Sequence, residues 1–133
     1  QYPYLSVCTT GTHDTSTLRG WWEENREVTQ SYYNSRLMLE GDAPQYCESW
    51  ISKKIIESHL KSPSMLAILP LQDWLSMFEN LRYQNPHEER INNPSNPKHY
   101  WRYRMHPTLE KLLSDESFKS DLRKMVKSCG RAI

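Results

Sequence analysis

Residues 10–22, TGTHDTSTLRGWW, set His13 and Asp14 side by side and follow them with Arg19, Trp21 and Trp22. A carboxylate in such a place can stabilise developing positive charge or hold hydroxyl groups, and the neighbouring imidazole can donate a hydrogen bond. An acidic residue just ahead of a helix is also a common cap. The dipeptide alone leaves both readings open. A second polar pair, Gln72-Asp73, follows the apolar run MLAILPL at residues 65–71. Further along, HYWRYRMH at residues 99–106 interleaves aromatic residues with Arg102 and Arg104. Bases stacking on the rings are one reading of that pattern. A half-buried segment whose arginines pair with nearby carboxylates is the other, and a near-neutral chain favours it. Other chemistries lack their residues. His87-Glu88-Glu89 does not complete HExxH, and Cys8, Cys47 and Cys129 form no CxxC pair, so no metal set is expected. There is no glycine-rich phosphate loop and no GxSxG elbow, so no cofactor is expected either.

The elements that must position these residues follow from pattern. Residues 2–9 read as a short buried strand starting at about Tyr4, after Pro3. A polar turn follows, and Ser16 or Thr17 is placed to cap a helix from Leu18. A second helix is predicted over 44–60, where Cys47, Ile51 and Ile55 repeat every four residues and Trp50 and Leu60 widen the same stripe. Residues 62–71, bounded by prolines, suit a buried strand, followed by a short helical segment or a loop leading into one. Residues 83–98 hold three prolines and four asparagines and are expected to form an irregular loop, of the kind more often functional than idle. Pro107 is expected to open a helix with Leu109, Leu112 and Leu113, and a last helix is predicted over 118–129, ended by Gly130. The order is two successive β/α units, hence an α/β fold with parallel strands, mostly helical. Both polar pairs then lie at the strands' C-terminal ends, where α/β folds gather ligand groups. Two parallel strands cannot make a stable sheet by themselves, so the chain is expected to be part of something larger.

Composition narrows the partners. Lys+Arg 17 against Asp+Glu 16 leaves no basic field for a phosphate backbone, so no nucleic-acid partner is expected. The longest apolar run is far short of a membrane span. The aromatic content is Tyr 8 and Trp 5 against Phe 2, rings with polar tips that suit half-wet surfaces and sugar faces. The opening QYPYLSV has neither a basic start nor an apolar core of a leader, and three widely spaced cysteines suggest free thiols. A cytoplasmic location is therefore expected.

Three stretches in order, THDTSTLRGWW, LAILPLQDWL and ERINNPSNPKHYWRYRMH, resemble the amylomaltase-type 4-α-glucanotransferases of glycoside hydrolase family 77, specifically their cytosolic disproportionating-enzyme branch. The resemblance runs from about Tyr4 to Arg131. It implies a retaining transglycosylase on a TIM-like (β/α)8 barrel, of which residues 1–133 would be a partial domain, about the last two β/α units. It implies that Asp14 stabilises the oxocarbenium-like transition state and that His13 positions substrate. Gln72 and Asp73 would stand at the rim of the cleft, and Asn92 and Pro94 would fall on the family's sugar-binding loop. Typical bacterial members carry Gly-Thr after that proline and Asn before the following tryptophan. Here the residues are Ser95, Asn96 and Tyr100, which fits the disproportionating branch. The implied partners are α-glucans, maltooligosaccharides and the rest of the barrel upstream of Gln1. The nucleophile and acid/base would lie there, and the isolated chain is expected to be inactive. Two other readings fit the same residues: a free-standing carbohydrate-binding or interaction module and an α-glucan hydrolase of the same architecture.

Overall fold

Strand β1 (Val7–Cys8) pairs in parallel with β2 (Leu66–Ala67), in the register Val7↔Leu66 and Cys8↔Ala67. The computed structural model that shows this describes residues 2–131. Backbone bonds extend the pairing beyond the two short strands. The N–H groups of Met65, Leu66 and Ile68 donate to the carbonyls of Tyr4, Ser6 and Cys8, at 2.7, 3.3 and 3.0 Å. The expected parallel pair is therefore present, and its contacts begin at Tyr4 as the sequence suggested. Its burial differs from expectation. Cys8 and Leu69 are buried, whereas Tyr4, Leu5, Val7, Leu66 and Ile68 are exposed. The pair has a core on one face only, because nothing among the described residues covers the other.

Three helices lie between the strands: α1 (Leu18–Glu24), α2 (Arg26–Ser35) and α3 (Ser49–Leu60). Thr17, and not Ser16, caps α1, its hydroxyl accepting from the N–H of Gly20 at 3.2 Å. Asn25 ends α1 in an extended conformation and caps α2, its side-chain oxygen accepting from Glu27 and Val28. Helix α3 starts at Ser49, not near Pro44. The Pro44 carbonyl is occupied by the side chains of Trp22 (2.9 Å) and Arg26 (3.1 Å), so the preceding residues cannot wind onto the helix. The predicted stripe is otherwise present except for Trp50, which is exposed. Cys47, Ile51, Ile55, Ile56 and Leu60 pack with Trp22, Tyr33 and Met125 in the main core. Each such aliphatic side chain contributes about 1.5–3 kcal/mol on burial.

After β2 come α4 (Leu71–Leu75), a 3₁₀ turn (Pro86–Glu89), α5 (Leu109–Ser114) and α6 (Glu116–Ser128). Pro107 precedes α5 instead of opening it; Thr108 is the cap, accepting from Lys111 N–H. Asp115 caps α6, which starts at Glu116, two residues ahead of the predicted start, and Gly130, at φ 76°, ends it. Arg131 then folds back onto the end of α3. Its guanidinium donates to the carbonyls of Leu60, Ser62, Ser64 and Met65 at 2.8–3.0 Å, satisfying groups that a helix end leaves orphaned. That clasp fixes the chain entering β2. Among the described residues no helix is long and apolar enough to cross a membrane.

Candidate functional site

The loop after β1 is a hydroxyl-stitched turn that lifts two residues into solvent. Thr12 N–H donates to the Thr15 hydroxyl at 2.9 Å, which in turn donates to the Thr12 carbonyl at 3.0 Å. Thr15 N–H reaches the same carbonyl, at 3.2 Å. Such local side-chain bonds compete with regular structure and make a tight turn. His13 and Asp14 stand at its tip, each side chain 52% exposed. Gly11 is required by close approach, since a Cβ there would stand 2.7 Å from the Thr15 hydroxyl.

Asp14 is held by one oxygen only. Oδ1 accepts from Asn92 Nδ2 at 2.7 Å and lies 3.3 Å from His13 Nε2. Among the described residues no protein donor meets Oδ2. The His13 ring lies 5.0 Å from that of Trp101, tilted by 49°. Residues 13, 14, 92 and 101, far apart in sequence, thus share one solvent-facing corner at the C-terminal end of the strand pair. It offers one open carboxylate oxygen, one imidazole and an exposed indole.

Two buried contacts set that corner. The first is Asp73 on α4, 1% exposed. Its Oδ1 accepts from Leu18 N–H at 2.9 Å and its Oδ2 accepts from the Thr10 hydroxyl, so one side chain ties down both ends of the 10–18 loop. Burial pushes its pKa above the usual carboxylate range, opposed by the Thr10 and Leu18 hydrogen bonds and by His59. The second is an ion pair between Arg19 on α1 and Glu89 in the 3₁₀ turn, 2.6 Å long with side chains 6% and 3% exposed. Arg19 also donates to the carbonyls of Tyr83 and Gln84, and Glu89 Oε1 accepts from Tyr83 N–H. Gln72, also buried, donates to the Glu89 carbonyl at 3.3 Å. From this anchor the loop continues through Arg90, whose Nε donates to the Asn92 carbonyl, and His99, whose Nε2 meets the Ile91 carbonyl. Pro94 occupies the second position of a turn closed by Asn96 N–H to Asn93 O at 3.0 Å, a position its fixed φ suits.

Of the six residues expected at the site, His13, Asp14 and Asn92 come together directly. Pro94 lies exposed on the same loop. Gln72 and Asp73 lie beneath it, buried, with their polar atoms turned to protein partners. The reading of Arg102 and Arg104 as ion-pair partners is corrected. Neither makes an ion pair among the described residues, and Arg102 instead stacks on the Tyr100 ring at 4.5 Å. Trp22 packs in the core, and Trp21 and Trp74 pack against it. Sequence reasoning missed the Arg19–Glu89 clamp. Nothing in local pattern marks two opposite charges separated by 70 positions.

Comparison with known proteins is consistent in one direction. A family model described as 4-alpha-glucanotransferase matches residues 1–110. The 4-alpha-glucanotransferase DPE2 of Oryza sativa subsp. japonica is 40% identical over 132 residues, covering 99% of this chain and 14% of its own length. The 4-alpha-glucanotransferase of Chlamydia trachomatis serovar D is 32% identical, over 90% of this chain and 22% of that protein. Among solved structures, the amylomaltase from Streptococcus agalactiae in complex with acarbose superposes with a TM-score of 0.72 at 22% identity, covering 99% of this chain and 23% of its own. The chain therefore spans less than a quarter of each of these three relatives.

Proposed function

The chain belongs to the 4-alpha-glucanotransferase family of glycoside hydrolases, and from that premise we propose that it forms the last two β/α units of a retaining glucanotransferase barrel. Such an enzyme cuts an α-1,4-glucan, keeps the glycosyl fragment covalently on a carboxylate, and passes it to another sugar's hydroxyl. In this reading the nucleophile and the acid/base come from parts of the barrel outside these 133 residues. Asp14 grips hydroxyls of the distorted sugar through Oδ2 and stabilises the positive charge that develops on the ring. His13 supplies a second hydroxyl contact, and Asn92 orients Asp14 while facing the same space. Pro94 shapes the loop that carries Asn92. Gln72 and Asp73 act from below, as positioning residues for both loops. Maltooligosaccharides and longer α-glucans are the substrates, and the rest of the barrel is the partner. The buried free thiols of Cys8 and Cys47 support a reducing, cytoplasmic setting.

The observation that carries this reading is the Asn92–Asp14 hydrogen bond, 78 positions apart in sequence. It leaves one carboxylate oxygen open at the end of a parallel strand pair, where barrel enzymes bind substrate. The test is Asp14→Ala in the full-length enzyme. Turnover in maltose disproportionation is expected to fall by roughly 10²–10³-fold, the scale of removing a preorganised electrostatic group, with Tm unchanged because the side chain is exposed. Near-normal turnover would overturn the assignment.

A further inference from the structure

A cavity of about 520 Å³ opens on the other side of the Arg19–Glu89 clamp. It lies within the range of about 300–1,000 Å³ usual for small-molecule sites. Its wall includes Glu23 on α1, Tyr46 and Glu48 ahead of α3, Arg82, and the 84–88 stretch with Gln84 and Glu88. None of the residues assigned to substrate at the Asp14 corner lines it.

The lining selects a class of ligand. Tyr46 is 64% exposed and offers a ring edged by polar groups. Arg82 is held in place through one nitrogen, which donates to the carbonyls of Cys47 (2.9 Å) and Ser76 (3.3 Å), and its other terminal nitrogen lies 3.8 Å from Glu79. Glu48 is oriented by Trp50, whose indole N–H donates to it at 2.6 Å. Three glutamates, 23, 48 and 88, face two guanidiniums, and that of Arg19 is already committed to Glu89. An anion would therefore meet repulsion. No group of three or more His, Cys, Asp or Glu among the described residues is placed to hold a metal ion. Charged and amide groups share the wall with Tyr46, Cys47 and Pro86, so the lining is mixed, and a wholly apolar molecule would leave its charged groups unpaired. Planar polar side chains around an exposed aromatic ring fit a neutral polyol with one apolar face: hydroxyls pair with carboxylate, amide and guanidinium while the ring face stacks.

The geometry points to an accessory binding site for a neutral oligosaccharide in this cavity, separate from the Asp14 corner and joined to it by the chain that runs from Glu88 to Asn92. The choice of α-glucan as the oligosaccharide rests on the functional reading above. The 84–88 stretch that lines the cavity leads directly into Glu89, and from there the loop runs to Asn92, the partner of Asp14. A glucan seated in the cavity braces the loop that completes the corner and keeps a long chain near it.

The probe is a sulfur-linked maltotetraose, which cannot be cleaved, titrated calorimetrically into the full-length enzyme. Two binding events are expected in the parent. Tyr46→Ala and Glu88→Ala, both at exposed side chains, are each expected to abolish one event or weaken it at least tenfold with Tm unchanged. Asp14→Ala is expected to remove the other. A single event in the parent, or two that survive both Tyr46→Ala and Glu88→Ala, overturns the accessory site and leaves the functional reading standing. Two events that survive Asp14→Ala overturn the Asp14 assignment and leave the cavity to be judged by its own two variants.

Discussion

At the scale of single residues, the corner works by dividing labour between exposed and buried carboxylates. Asp14 keeps one oxygen for a ligand because Asn92 and His13 crowd the other. Asp73 spends both oxygens inside the fold. Its raised pKa makes a pH prediction. A carboxyl with a native pKa above its unfolded value favours the folded state fully below the unfolded value, and that contribution is lost as pH rises through the native value. Asp73→Asn removes the titration while keeping an oxygen for Leu18 N–H. The parent's advantage in Tm over Asp73→Asn should therefore be largest near pH 4 and shrink as pH rises toward 7. An advantage that grows with pH would mean that the two hydrogen bonds outweigh burial. The sequence pointed to His13, Asp14 and Asn92 because types and order sufficed. Asp73 stood out as a polar residue after a strand, but its burial depends on Thr10 and Leu18, which come from another β/α unit. The Arg19–Glu89 pair was illegible for a simpler reason. With 17 basic and 16 acidic residues, nothing local singles out one partnership among so many.

At the scale of elements, stripes were easier to read than boundaries. The Cys47-Ile51-Ile55 spacing survives any local detail, because burial enforces it. Helix starts depend on who takes the first free groups. Trp22 and Arg26 take the Pro44 carbonyl and delay α3, and Asn25 takes two N–H groups and starts α2 directly after α1. The 10–17 loop was legible as a turn but not as one closed by Thr12 and Thr15. That closure makes Gly11 a sensitive position. In Gly11→Ala the new methyl would meet the Thr15 hydroxyl at 2.7 Å, and the hydroxyl cannot retreat without releasing Thr12. Displacing a positioning element by about 1 Å costs on the order of 10²-fold in rate. The full-length Gly11→Ala enzyme should accordingly lose turnover on that scale, with a Tm close to the parent's because the loop lies outside the core. Parent-like turnover would show that the turn is not what aims Asp14. A chemical check reaches the core itself. Burial raises the Cys47 thiol to about 11, so in the native protein it should resist alkylation at pH 8 and react only on unfolding.

At the scale of the whole molecule, the strand pair is the feature that a free-standing domain would not tolerate. Parallel strands are almost always covered on both faces, yet Tyr4, Leu5, Val7, Leu66 and Ile68 are all exposed here. The sequence showed strands too apolar for solvent, and the structure shows which face is left bare. If the proposed barrel covers that face, two residues of similar exposure in this chain should behave differently in the full-length enzyme. Ile68 is 60% exposed on the strand segment, and Val28 is 47% exposed on α2. Ile68→Ala should then cost about 2–5 kcal/mol, as for a buried aliphatic truncation. Val28→Ala, on a helix face turned outward, should stay within about 0.5 kcal/mol, as for an ordinary surface change. Denaturant midpoints of the two variants decide the matter. Equal and small effects would mean that solvent, and not further strands, meets this face.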